Sequence, residues 1–560
     1  MSKARLRTLL PSRADYSQLR TTWKGDVIAG VTVGIVALPL ALAFGVTSGA
    51  GAAAGLVTAI VAGLVAGVFG GSNIQVSGPT GAMVVVLAPI ITANGVAALA
   101  VVSAMAGVFV LVAGFLRLGR AVAAIPWPVI EGFTLGIAII IFLQQVPGAL
   151  GITSTRHGPN AVIEAAHAIA DAQGGSAVWS LGIVAGVAAV TLGFSLWAPR
   201  IPGSILAVVA ATIVAAVAHA PVALIGALPA GLPAPSVPHV SLELASQLIV
   251  PAATVAALAA IESLLSARVA SAHSNTGPYD ADRELVGQGL ASVASGFFGG
   301  MPATGAIART AVNVRSGGRT RLAAVVHSVA LLLIVSVGAT LVDNIPLAAL
   351  AGVLMVTAAR MVPRRTITAV FRSSRSSALL FVITAVVTVS VDLIYAVGVG
   401  LIAAAFFALR ALAATAGVHR EELPAPSVPG DEGIAVFRID GALFFAAAER
   451  VQERVMAIDG VSVVILRLSQ LQLLDATGAQ VLVEIVESLE ARGVTVLIKG
   501  VQERHLAQVR RAGVIQALRH HHHLFDHLYE AIDHARAHVA RSEAADDVVA
   551  GAVDKGGQRS

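Results

Sequence analysis

Two Gly/Pro-bearing stretches hold the densest chemical signal in the chain. Gly67-Val68-Phe69-Gly70-Gly71 precedes Ser77-Gly78-Pro79-Thr80-Gly81-Ala82, and Gly296-Phe297-Phe298-Gly299-Gly300 precedes Met301-Pro302-Ala303-Thr304-Gly305-Ala306, which makes an internal repeat. Interrupted apolar segments in corresponding halves point to a transporter site built from half-helices near the bilayer midplane. Helix N-termini carry unpaired N–H groups and a positive dipole end, so half-helices starting at Pro79 and Ala303 and facing one another would cradle an anion without any lysine. Proline tolerates the missing donor at such a start, and Gly81 and Gly305 leave backbone amides uncovered. The expected substrate contacts are the amides and hydroxyls around Thr80, Gly81, Ala82 and Thr304, Gly305, Ala306. Two simpler readings stand beside this one: the hydroxyls cap their own helices, or the glycines serve close packing in bent helices.

Two charges lie within apolar sequence. Arg309 falls four residues after Gly305 and is costly there unless it meets an anion, a carboxylate or water. Glu262 lies inside Val250–Ala270, with Ser266 on the same helical face. That carboxylate can carry a proton or, with Ser266 and nearby carbonyls, bind Na⁺; the alternative is a structural ion pair with Arg309. Asp26 and Asp392 stand at span starts, where helix capping is the expected role. The chain has no cysteine, which excludes disulfides and thiolate chemistry. His520–His523 could bind a metal, but four consecutive histidines cannot all face one ion. No metal is therefore expected beyond Na⁺ at Glu262, and no cofactor. GxSxG, HExxH and Walker A patterns are absent, so the chain is not read as an enzyme.

The elements that must position these groups are membrane spans. Of 560 residues, 56% are hydrophobic and 12% charged, with 55 Gly, a composition suited to a packed polytopic bundle. Apolar runs are expected near 26–46, 50–69, 79–93, 95–116, 126–146, 176–197, 202–219, 248–269, 284–299, 303–315, 320–341, 345–360, 376–391 and 394–416, about fourteen in all. About seven spans in each half would make the repeats inverted, because an odd number reverses the entry side. Lys3, Arg5, Arg7, Arg13, Arg20 and Lys24 precede the first run and place the N-terminus in the cytoplasm; the even count returns the C-terminus there. No cleaved signal peptide is expected. The stretch 147–175, with Arg156 and His157, reads as an outer loop.

The resulting organisation is a cytoplasmic segment 1–24, a transmembrane domain 25–416, a polar Pro-rich linker 417–430, a soluble α/β domain 431–541 and a disordered tail 542–560. Within the soluble domain, strands are expected at 434–438, 462–468 and 494–498, and helices at 446–457 and 476–491.

Several ordered motifs carry a family resemblance. Gly25-Asp26-Val27-Ile28-Ala29-Gly30 leading to Ala37-Leu38-Pro39, the Ser77–Gly81 and Gly299–Pro302 segments, Ser316-Gly317-Gly318-Arg319-Thr320 and Ile345-Pro346 look like the SulP permeases. The resemblance implies a seven-plus-seven inverted repeat divided into core and gate domains, substrate held between the third and tenth segments, and homodimers in the plasma membrane. It also implies that Phe44 lines the site from the first span and Glu262 from the eighth. Leu40, after the Leu-Pro pair, matches some bicarbonate-type members, whereas Arg309 matches animal anion exchangers.

The soluble domain resembles STAS, with Leu474-Asp475-Ala476-Thr477-Gly478 matching its loop before a helix. Thr477 is the available hydroxyl for regulatory phosphorylation there, and a cytoplasmic protein partner would dock on this domain. The expected function is gradient-driven transport of bicarbonate, sulfate or a dicarboxylate, coupled to Na⁺ or H⁺. An anion exchanger, an anion channel, a nucleobase permease and a non-transporting anion receptor signalling through STAS are the alternatives.

Overall fold

In the computed structural model, residues 9–541 are described apart from 123–124, 153–160, 173, 199–201, 229–230, 239–240, 273, 275, 391–392 and 425. Arg156, His157, Asp392 and the tail 542–560 lie outside the described residues, and so do Lys3, Arg5 and Arg7. Two units follow one another, divided near Leu401 inside the helix Leu393–Ala414, which is described with the first.

The first unit is helical: α1 (Leu19–Thr47), α2 (Ala52–Phe69), α3 (Gly81–Asn94), α4 (Ala97–Phe115), α5 (Trp127–Gln144), α6 (Ala161–Asp171), α7 (Gly174–Trp197), α8 (Gly203–Val217), α9 (Leu242–Ala272), α10 (Ala281–Phe297), α11 (Ile307–Arg315), α12 (Leu322–Val342), α13 (Leu347–Met361), α14 (Arg364–Ser373), α15 (Arg375–Ser390) and α16 (Leu393–Ala414). Every expected apolar run coincides with one of these helices. Seven of the described helices are long and apolar enough to cross a membrane, and α3, α8, α15 and parts of α12 and α16 are shorter apolar helices. Leu333, Val337, Leu341, Ile402 and Phe406 stay exposed along their helices, as side chains facing hydrocarbon do. The 147–175 stretch, expected as a loop, contains α6, whose Ala165 and Ala168 are buried.

Helix packing falls into two groups. α1 packs on α12, α4 on α10 and on α9, and α2 on α10 and α12; α5 packs on α15 and α13, and α7 on α8 and α13. We call the first set the core group and the second the gate group; α1 also packs on α13 and α3 on α5, so the two sets touch. Within the core group, a π turn at Thr58–Ala62 interrupts α2. Thr58 Oγ1 accepts from Met301 N at 2.7 Å and donates to Ala54 O at 2.7 Å, so the π turn receives the second glycine-proline segment.

Asp26 does not cap a helix start, as the sequence suggested: α1 begins at Leu19, and Asp26 is fully buried within it. Its carboxylate accepts from Arg319 N (2.6 Å), Thr320 N (3.0 Å), Thr320 Oγ1 (2.7 Å) and Thr22 Oγ1 (2.8 Å). The helix that it serves is α12, whose preceding turn would otherwise bury unpaired donors. Arg321 plays the converse part, donating to Gly70 O at 2.5 Å and Val68 O at 3.2 Å where α2 ends, a favourable place for a cation.

The second unit is a mixed sheet. Its strands are β3 (Gly417–Glu421), β4 (Ile434–Leu443), β5 (Val463–Arg467), β6 (Leu471–Leu474), β7 (Thr495–Lys499) and β8 (Leu524–Phe525), ordered β3-β4-β5-β7-β8 with β6 on β4. The labels β1 and β2 belong to Ser77–Gly78 and Thr304–Gly305 in the first unit. β4 alternates across the sheet: Ala435, Phe437 and Ile439 pack toward α17 (Ala448–Met456), α18 (Ala476–Ala491) and α19 (Glu503–Ala512), whereas Ile434 and Val436 meet Ala531, Ile532 and Ala535 of helix α20 (528–541). The expected linker 417–430 needs correction, because residues 417–421 pair antiparallel with β4 as an edge strand. Glu421 there bridges Arg438 (2.7 Å) and Arg467 (2.8 Å).

Replacing Asp26 with Ala removes the acceptor of four hydrogen bonds and is expected to destabilise the first unit by about 3 kcal/mol, read as a lower melting midpoint in detergent; an unchanged midpoint would show the tie to be dispensable. A chain cut after Gly430 keeps β3 without its partner β4 and should aggregate more, by size-exclusion chromatography, than one cut after Ala416. Equal behaviour of the two truncations would show that β3 can do without the sheet.

Candidate functional site

The two glycine-proline segments meet as β1 and β2. They pair antiparallel, Ser77 with Gly305 and Gly78 with Thr304. This short ladder satisfies backbone groups that hydrocarbon could not, so the chain can leave the helix at that depth. The half-helices begin later than the prolines suggested, with Thr80 preceding α3 and Ala306 preceding α11. Neither residue caps its helix through a side chain, so the capping alternative for Thr80 fails. The first-turn amides of both helices have no intrahelical acceptor.

Glu262, from α9, joins the two segments. Its Oε2 accepts from Thr80 Oγ1 at 2.7 Å and Thr304 Oγ1 at 2.9 Å, and those two hydroxyls lie 3.1 Å apart. Among the described residues no ion pair links Glu262 to Arg309, so the structural-pair alternative is not what forms.

Arg309 is 1% exposed and reaches back beneath the other segment, donating from Nη2 to Pro79 O at 3.0 Å. Its Nη1 has no hydrogen-bond partner. A Cβ at Gly78 would have to push this Nη1 aside. A Cβ at Gly81 would likewise displace the end of the Ile141 side chain and come within 3.4 Å of the Phe44 ring. Phe44, 7% exposed, therefore stands beside the α3 start.

Two parts of the expected contact set are otherwise engaged. Gly305 N donates to Ser263 Oγ at 3.0 Å and Ala306 N to Val76 O at 2.9 Å, because the strand ladder and α9 consume them. They are not free to bind a ligand, whereas Gly81 and Ala82 open α3 and Ile307 opens α11. Ser266 lies 3.5 Å from Thr310 Oγ1, while the carboxylate of Glu262 turns to the threonines. The residue of α9 that braces the second segment is instead Ser263, whose carbonyl also accepts from Gln75 Nε2 at 3.2 Å.

Behind the site, Gln288 Nε2 is shared by Ser77 Oγ and Glu284 Oε1 (2.9 Å), and Glu284 Oε2 accepts from Gly71 N (2.7 Å) and Ser72 N (3.1 Å). Sequence reasoning missed Ser263, Gln75, Gln288 and Glu284. The i, i+4 spacing of Glu284 and Gln288 was the one local signal available for them.

In the second unit, Asp475 caps α18 by accepting from Gly478 N at 2.7 Å. Thr477 is exposed in the first turn of that helix.

A polytopic bundle in which two interrupted helical segments pair with one another, followed by a STAS-type sheet, defines a membrane permease rather than an enzyme. The chain belongs to the sulfate permease (SulP) family: the model of that family matches residues 23–384, and the STAS domain model matches 425–531. YvdB of Bacillus subtilis, provisionally named a sulfate transporter, is 33% identical over 90% of this chain and 96% of its own. The bicarbonate transporter BicA of Synechocystis is 31% identical over 85% and 88%. The solved transmembrane domain of a cyanobacterial BicA superposes with a TM-score of 0.60 at 34% identity, over 67% of this chain and 97% of that one. SLC26A9 superposes at 0.80 with 17% identity, over 97% and 95%, a likeness of fold.

Because Thr80 and Thr304 share one carboxylate oxygen, Thr80→Val and Thr304→Val are expected to be non-additive in a double-mutant cycle, by about 0.5–3 kcal/mol in anion affinity. Strict additivity would separate the two hydroxyls.

Proposed function

We propose that this protein is a secondary transporter of a small oxyanion, bicarbonate or sulfate first and a dicarboxylate such as fumarate next, working by alternating access between its core and gate groups. The observation that carries the reading is the buried guanidinium of Arg309, with Nη1 unpaired beside the openings of two half-helices. Two helix dipoles and one arginine favour negative charge, and the guanidinium fork suits planar or tetrahedral oxygens. The antiparallel meeting of the repeated segments supports an inverted repeat of about fourteen spans. Kinship with sulfate and bicarbonate transporters supports the substrate class.

Glu262 is the coupling group in this reading. A carboxylate one hydroxyl away from a bound anion repels it unless a proton or Na⁺ neutralises the charge, so ion and anion would enter together. The engagement of Ser266 with Thr310 leaves Na⁺ without that expected ligand, which favours the proton. The protein is read as a plasma-membrane homodimer with both termini cytoplasmic. Phosphate on Thr477 would sit at a helix N-terminus, where it could alter what docks on the STAS domain.

Proteoliposomes offered labelled bicarbonate, sulfate or fumarate, each with an inward proton gradient, a Na⁺ gradient or neither, test the proposal. Saturable, gradient-driven uptake of one anion is expected. Glu262→Gln should abolish accumulation while leaving protein yield intact, and Arg309→Ala should weaken anion binding by about tenfold or more, as loss of a charge-assisted hydrogen bond does. Anion binding without flux would favour a receptor, and gradient-independent flux a channel.

A further inference from the structure

The run His520–His523 cannot enclose an ion by itself, but the fold takes one histidine from it and adds two from elsewhere. His523 ends a 3-10 turn, His521–His523, that leads into β8, and it is 1% exposed. His534 and His538 are one turn apart on α20 and so share a face. The three rings form a nearly regular triangle, with centroids 5.3 Å (His523–His534), 5.5 Å (His523–His538) and 4.9 Å (His534–His538) apart. One nitrogen from each lies within 4.8 Å of the others. Nδ1 of His523 and Nε2 of His534 are buried with no hydrogen-bond partner, an expense that a protein ordinarily avoids.

The frame around the cluster is firmly built. α20 is held to the sheet by Ala531, Ile532, Ala535 and Val539 against Ile434, Val436, Val463, Ile465 and Leu497. Arg536 forks onto Asp431 at 2.8 and 2.9 Å. On the other side, β8 pairs with β7 through Ile498 and Lys499. The two elements carrying the imidazoles are thus fixed independently, and the rings alone need to turn.

We propose that His523, His534 and His538 form a three-imidazole site for a divalent transition-metal ion of the Zn²⁺ class, with solvent in the fourth position. Three neutral imidazoles suit Zn²⁺, Co²⁺, Ni²⁺ or Cu²⁺ and not Mg²⁺ or Ca²⁺, which require oxygen. Metal–nitrogen bonds of about 2.0–2.1 Å would draw the ring nitrogens closer together than they stand here, a movement that side-chain rotation supplies. Arg519, Arg541, His520 and His522 supply the surrounding positive or protonatable groups; they oppose a cation, so affinity should fall as pH drops and the imidazoles protonate. Bound metal would clamp α20 to the end of the sheet, on the face opposite α18.

The test uses the full chain in detergent, without an added histidine tag and stripped of metal by a chelator. Titration with Co²⁺, watched by visible absorption, should show one equivalent with the bands of a four-coordinate ion, and Zn²⁺ should displace it and raise the melting midpoint. His534→Gln and His538→Gln should each weaken Co²⁺ binding by at least about tenfold and abolish the Zn²⁺-dependent rise, with the metal-free midpoint serving as the folding control. Joint replacement of His520, His521 and His522 by Asn should keep one equivalent of Co²⁺, bound no more weakly, and the Zn²⁺-dependent rise. Absence of stoichiometric binding, survival of binding in the α20 variants, or its loss only in the joint variant would each overturn the proposal, the last by assigning binding to the exposed run.

Discussion

Backbone polar groups in hydrocarbon must find partners within the protein, and this one constraint shapes the whole membrane unit. The chain breaks two helices near their starts, exposing amides and carbonyls that a continuous helix would have paired. It satisfies part of that demand by laying the two breaks antiparallel, Ser77 on Gly305 and Gly78 on Thr304. The remainder falls to side chains from neighbouring helices: Ser263 on Gly305 N, Thr310 on Val76 N, Asn313 on Ile74 O and Arg309 on Pro79 O. Each of these residues is buried. What remains is the proposed site, the first-turn amides of α3 and α11 and one guanidinium nitrogen.

The same logic explains why so many polar residues are tolerated in so apolar a chain. Asp26, Glu284 and Arg321 each serve the frayed end of an element other than the one that carries them. Asp26 sits at the amide end of α12 and Arg321 at the carbonyl end of α2, where helix dipoles favour their charges; Glu284 instead takes up the N–H groups of Gly71 and Ser72 just beyond α2. They are the fittings that hold the broken segments in place. Glu262 differs, since its partners are hydroxyls whose protons can reorient, and a group held this way can change its charge without unfolding its surroundings.

The second unit shows the alternation of a half-buried sheet turned to two uses. One face of β4 builds the main core with α17, α18 and α19, and the other receives α20. The edge strand β3 comes from the chain immediately after the last membrane helix, ordered by the Glu421 bridge to Arg438 and Arg467. Its sequence reads as polar linker because an edge strand exposes alternate side chains and contributes mainly backbone.

The sequence by itself determined the apolar runs, the repeated segments, the positions of Glu262 and Arg309 in them, and three strands of the second unit, β4, β5 and β7. Hydropathy, Gly/Pro punctuation and period-two alternation are local properties, legible within a window of twenty residues. Partnership is not local: Thr80 and Glu262 are 182 residues apart, and Asp26 and Thr320 are 294 apart. Only the tertiary structure decided that Ser263 rather than Ser266 braces the second segment, that the amides of Gly305 and Ala306 are consumed, that Asp26 serves α12, and that one histidine of a run of four joins two others on α20. A helical spacing names the residues that share a face, but the face they meet is chosen by packing across the whole chain.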